Sequence, residues 1–102
     1  MANKKETTEF YDSLPNYLQK KIDNFSNAIG IYFKNQEIAA KALKVSQPSL
    51  NRYMRGVSEI PMSVANRLVN KSQGAILLDD IYFDHAEYLE DVNKEQQKLA
   101  SA

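Results

Sequence analysis

The chain contains no cysteine, so neither a disulfide framework nor a thiolate metal site is open to it. Its single histidine, His85, has no second histidine with which to build a zinc site. The core must therefore hold the fold without staples or metal. Glycine is scarce, with three in 102 residues, too sparse for a phosphate-cradling loop. No apolar run approaches the ~18 residues of a transmembrane helix. Met1 to Phe10 is polar and lacks the apolar stretch of a signal peptide, so a cytoplasmic protein that avoids membranes is expected. Acid–base catalysis needs convergent titratable groups, and His85 stands alone in an acidic segment, where it reads as exposed. Ser46 and Ser49 have no base beside them in sequence. Asp79 and Asp80 lack the glycine and spacing of a calcium loop. No enzyme activity, metal or cofactor is expected.

A formal net charge of zero argues at first against a nucleic-acid partner, but the charge is unevenly spread. Residues 1–33 balance. Residues 34–71 carry Lys34, Lys41, Lys44, Arg52, Arg55, Arg67 and Lys71 against Glu37 and Glu59, a net +5. Residues 72–102 carry Lys94 and Lys98 against seven acids, a net −5. A basic middle is the electrostatic footprint of a nucleic-acid binder; the plainer alternative is that both segments are solvated surface.

The spacing of apolar residues is helical. Residues 1–12 are polar and expected to be loosely ordered. Ser13 is placed to cap a helix, with Pro15 in its first turn. Leu18, Ile22, Phe25 and Ile29 then recur at intervals of four, three and four. One long helix or two abutting helices fit this stripe, with Asp23-Asn24 the favoured break. Because the aromatics of this region fall at helical intervals, they read as core and interface, not as a base-stacking platform. Asn35 caps a short helix from Gln36 to Leu43. Lys44-Val45 makes a tight corner, and Ser46 caps a second short helix with Pro48 in its first turn and Gly56 as its stop. Ile60-Pro61 opens a further helix running to Gly74. Ala75 to Leu78 is extended or helical, and Asp79 to Phe83 a short helix or turn. From Asp84 the chain is acidic, with Tyr88, Leu89, Val92 and Leu99 in loose helical spacing. The expected fold is all-α: a compact bundle of about five short helices comprising a flexible segment 1–12, a helix-turn-helix DNA-binding domain 13–83, and an acidic C-terminal helix or tail 84–102.

The stretch from Gln36 to Arg55 carries the functional reading. Two short helices meet at a sharp corner when small residues line their contact, here Ala39 and Ala40. Leu43, Val45, Leu50 and Tyr53 then form the core beneath. That leaves Gln47, Pro48, Asn51, Arg52 and Arg55 on the outer face of the second helix. Gln and Asn pair two-pronged with adenine and Arg with guanine, so Gln47, Pro48, Asn51 and Arg52 are assigned to base reading. Asn35 and Gln36 stand at a helix N-terminus, which favours phosphate. Lys44, Ser46, Ser49 and Arg55 are assigned with them to backbone contact. The plain alternative is a helical hairpin in a protein that binds no DNA.

Residues 28–83 resemble the phage Cro and repressor type of helix-turn-helix regulators, including the YdaS-like antitoxin branch. The resemblance rests on Tyr32-Phe33, on Ile38-Ala39-Ala40 with Leu43, and on Val45-Ser46-Gln47-Pro48 at the corner. It continues through Ser49-Leu50-Asn51-Arg52-Tyr53, Gly56, Ile60-Pro61 and Gly74. It implies sequence-specific operator binding on double-stranded DNA by a homodimer on a two-fold site, as a repressor. Two departures stand out. The corner residue, commonly glycine in that family, is Lys44; a left-handed conformation there costs roughly 1–2 kcal/mol, so the turn is expected to differ in detail. The N-terminal extension and the acidic tail lie outside the resemblance. A rival reading is an interaction module, an antitoxin or adaptor, that binds a protein partner through the acidic C-terminal segment. The Leu89, Val92, Leu99 stripe is too short for a confident coiled coil, and a solvated, frayed helix fits it as well.

Overall fold

The computed structural model describes residues 8–101, and these form seven helices and no strand. Five of the helices have eight residues or more: α2 (Asn16–Tyr32), α3 (Gln36–Leu43), α4 (Gln47–Met54), α5 (Met62–Lys71) and α7 (His85–Ser101). The other two, α1 (Glu9–Asp12) and α6 (Leu78–Ile81), are single turns.

The N-terminal expectations need correction. Residues 1–7 of the segment expected to be flexible lie outside the described residues, but Glu9 to Asp12 are helical. Thr8 caps this turn, its Oγ1 accepting from the Tyr11 amide at 3.2 Å. Ser13 closes α1 and does not open α2. Pro15, not Ser13, precedes α2, its ring holding an extended backbone (φ −68°, ψ 162°) from which the helix starts. The helix then continues through Asp23-Asn24 without a break, because Ile22 and Phe25 on either side are both buried against other elements. The helix expected to run from Ile60-Pro61 to Gly74, α5, stops at Lys71, three residues short of Gly74. The chain turns there through left-handed Gln73 and Gly74, and buried Ser72 fastens the turn by donating to the Val69 carbonyl at 2.8 Å.

The core has two parts. The larger gathers Phe25, Ala28 and Ile29 of α2 with residues of α3 to α6, among them Leu43, Leu50, Leu68 and Ile81, each fully buried. The smaller joins Leu14, Leu18 and Ile22 to Phe10, Tyr11, Phe83 and Tyr88. Phe25 is thus core, as the helical spacing of the aromatics predicts, whereas Tyr17 and Tyr32 remain exposed. The lone histidine is another correction. His85 is half-buried, its ring edge-on to Phe10 (centroids 4.9 Å apart) and stacked on Tyr88 (6.1 Å). An imidazole offers this aromatic cluster a flat apolar face while keeping a polar edge toward water.

Polar side chains tie the ends of elements together. Lys21 on α2 donates to the carbonyls of Asp79 and Tyr82, and Asn24 donates to that of Asp80 at 3.0 Å. Three C-terminal carbonyls of the α6 region thereby find partners. Glu59, in the α4–α5 connection, accepts from the His85 amide at 2.7 Å, placing a carboxylate at the positive end of α7.

Candidate nucleic-acid interface

The short helices α3 and α4 are built from their caps inward. Asn35 Oδ1 accepts from the Ile38 amide at 2.9 Å and starts α3. Ser46 Oγ accepts from the Ser49 amide at 3.2 Å and donates to Ser49 Oγ at 2.9 Å, starting α4. Lys44 ends α3 in the left-handed conformation after all (φ 61°, ψ 44°), so the turn keeps the geometry that glycine would favour. Two bonds offset the strain. The Val45 amide donates to the Ala40 carbonyl at 3.0 Å and the Lys44 amide to the Lys41 carbonyl at 3.2 Å, the pairing of a Schellman stop. α4 ends in the same way, with Val57 donating to Arg52 at 2.9 Å around left-handed Gly56.

The contact between the two helices is as small as their sequence implies. Ala39 is 0% exposed and Ala40 4%. Leu43 and Leu50 are fully buried, with Val45 and Tyr53 half-buried beside them. α5 lies against α3 and contributes Val64, Ala65 and Leu68 to the same core.

With that side of α4 buried, the opposite side faces solvent. Gln47, Pro48, Arg52 and Arg55 are exposed, while Ser49 and Asn51 are half-buried. Positions 47, 48, 51, 52 and 55 lie on one helical face, and α4 is about 12 Å long, close to the width of the DNA major groove. Asn35, Lys44 and Ser46 are exposed and Gln36 half-buried, all near the ends of the two helices. Arg55 Nη1 lies 3.5 Å from Asn51 Oδ1, a long bond that pairs an assigned phosphate contact with an assigned base reader. Two-pronged pairing of Asn51 with adenine uses the same oxygen, so this bond must open for it.

Six of the seven cations in residues 34–71 are exposed: Lys34, Lys41, Lys44, Arg52, Arg55 and Lys71. The seventh, Arg67, is half-buried, with Nη1 donating to the Leu43 carbonyl at 3.1 Å. Arg67 thus braces the corner from below, a role that its place in α5 does not announce. Of the two acids in this stretch, Glu59 is engaged at the start of α7. The pair Asp79-Asp80 is likewise occupied: Asp79 lies 3.7 Å from Lys21, and Asp80 accepts from the Leu77 amide at 3.4 Å. Comparison of the chain with models of protein families, with curated proteins and with solved structures found no match.

Proposed function

We propose that this protein is a sequence-specific DNA-binding regulator of the phage Cro and repressor kind. It acts in the cytoplasm, reads the major groove with α4 as a dimer on a two-fold site, and represses by occupying that site. The observation that carries the reading is the face of α4: Gln47, Asn51 and Arg52 stand together over a contact made small by Ala39 and Ala40. Gln47 is at the N-terminal end of the helix, the part that reaches base edges in this mode of docking. Lys44 and Lys41, the one lysine of α3, are exposed and supply phosphate contacts without sequence content. Apolar surface for a second copy is available at the end of α2 and in the α5–α6 connection, where Ile31 is 73% and Leu77 59% exposed.

Selection from a randomised duplex pool at two salt concentrations tests the proposal, with the triple variant Gln47→Ala, Asn51→Ala, Arg52→Ala as control. Enrichment of a two-fold site that the triple variant fails to enrich is the expected result. Arg52→Ala alone should cost roughly 1–3 kcal/mol and relax preference at one base pair. Salt-sensitive binding without enrichment would make the protein a non-specific DNA binder. Absence of binding at low salt would overturn the reading.

A further inference from the structure

α7 is held at its start. Beyond its first turns it stands off from the rest of the chain and leaves a groove of about 700 Å³ between itself, α2 and the segment 79–84. The floor of the groove is apolar and aromatic, from Leu18, Tyr82, Phe83, Tyr88 and Val92. Tyr17 stands on the α2 side with 62% of its surface exposed.

The rim has one sign. Glu87, Asp91 and Glu95 follow each other at intervals of four, so they line up along the side of α7 that borders the groove. Like charges at this interval destabilise a helix on its own. Among the described residues no ion pair engages any of the three. Lys94, on the far side of Asp91 from the groove, is not part of its lining, and Lys21, the one cation among the described lining residues, already serves the carbonyls of Asp79 and Tyr82. An aromatic trough with an acid rim is complementary to a helix that carries an apolar stripe between cationic flanks. DNA and anionic membrane surfaces have the wrong sign for it. A second copy of α7 would set acid against acid.

We propose that this groove receives a cationic amphipathic helix from a protein partner, its apolar stripe on the Tyr82–Phe83–Tyr88–Val92 floor and its lysines or arginines against Glu87, Asp91 and Glu95. The site lies apart from the outer face of α4 and does not depend on that face binding DNA.

The probe is a fluorescein-labelled peptide of about 14 residues, long enough as a helix to span the ~18 Å from Asp84 to Gln96. It carries leucines at helical spacing and lysines elsewhere. Fluorescence anisotropy with the full chain should show binding that weakens as salt rises from about 0.05 M to about 0.3 M. Two changes on exposed positions, Glu87→Lys with Asp91→Lys, should weaken it about tenfold or more. Val92→Asp should weaken it too, with helical content by circular dichroism unchanged in both variants. A peptide of the same composition with its leucine stripe scrambled should bind much more weakly. Equal binding of the scrambled peptide, indifference to either variant, or no binding at low salt would each overturn the proposal. So would sedimentation showing a dimer that Asp91→Lys dissociates, which would give the groove to a second copy.

Discussion

Lys44 holds a conformation that a residue with a Cβ adopts at a cost of roughly 1–2 kcal/mol. Its side chain is exposed, and the two backbone bonds that offset the strain, from the Lys44 and Val45 amides, are ones that glycine would keep. Lys44→Gly should therefore raise the urea midpoint, by about 1 kcal/mol of stability or less. The same change should weaken DNA binding evenly across sequences and reduce the salt slope by about one. Gly56 shows the opposite arrangement. Its φ is +71°, and a Cβ there would lie 2.8 Å from a Tyr11 ring carbon and 2.9 Å from the Tyr11 Cβ, so only glycine lets α1 close over the end of α4. Thr8 also donates to the Gly56 carbonyl. Tyr11 itself carries a pH signature. Burial first, then its hydrogen bond to Asp23 at 3.0 Å and the charges of Asp23 and Asp12, push its hydroxyl above the ordinary 10.0. The folded state then keeps a proton that the unfolded chain gives up. Its contribution is complete below about pH 10 and is lost as pH rises through the raised folded value. Tyr82, raised by burial and by Asp84, Glu59 and Glu87, adds to the same decline. Urea melts at about pH 8 and about pH 11 should show a smaller alkaline loss in Tyr11→Phe than in the wild type.

At the scale of elements, α3 and α4 have eight residues each, too short to be stable alone. They depend on their caps and on burial of Ala39, Ala40, Leu43 and Leu50. Both caps were legible in the sequence because Asn and Ser before an apolar-periodic run have a local cause: a side-chain oxygen reaching an amide three residues on. Ser46 separates stability from function. Ser46→Ala should cost about 1 kcal/mol in thermal or chemical unfolding. Ser46→Asp should restore most of that, since a carboxylate accepts from the Ser49 amide equally well and suits the helix dipole. Yet it sets a negative charge among the assigned phosphate contacts, so DNA affinity should fall below that of Ser46→Ala. If Ser46→Asp bound DNA as tightly as the wild type, the assignment of this corner to the phosphate backbone would be wrong. The one-turn helix α1 was not legible. Four residues give no periodicity to read, and what orders them is contact with Gly56 and Asp23, distant in sequence.

For the whole molecule, the radius of gyration is 15.2 Å, above the ~13 Å of a compact chain of this length. The difference agrees with a C-terminal helix about 25 Å long of which Asn93 to Gln97 are all exposed. Tyr88 and Val92 are half-buried, Leu89 is 45% exposed, and the side chain of Leu99 lies outside the described residues. Ending the chain after Val92 should therefore change stability by no more than about 0.5 kcal/mol in urea unfolding. Truncation before Tyr88 should cost more, because it removes Tyr88 from the smaller core.

Local chemistry and period determined α3 and α4 with their caps, the stripe of α2 though not its start or its continuity, the tight corner at Lys44-Val45, and the small-residue contact beneath α4. Each follows from residues within a few positions of one another, where backbone geometry sets which side chains share a face. Only the tertiary structure decided what the charged and aromatic residues meet. Arg67, counted in sequence among the basic segment, is turned onto the Leu43 carbonyl; Glu59 is turned onto the start of α7; His85 is drawn into rings from α1 and α7. Long-range partners such as these depend on which helix ends the packed core brings together, and no spacing along the chain encodes that. The same holds for the groove: its acids were visible as a run of charge, but that they border an aromatic trough follows from the direction in which α7 leaves the core.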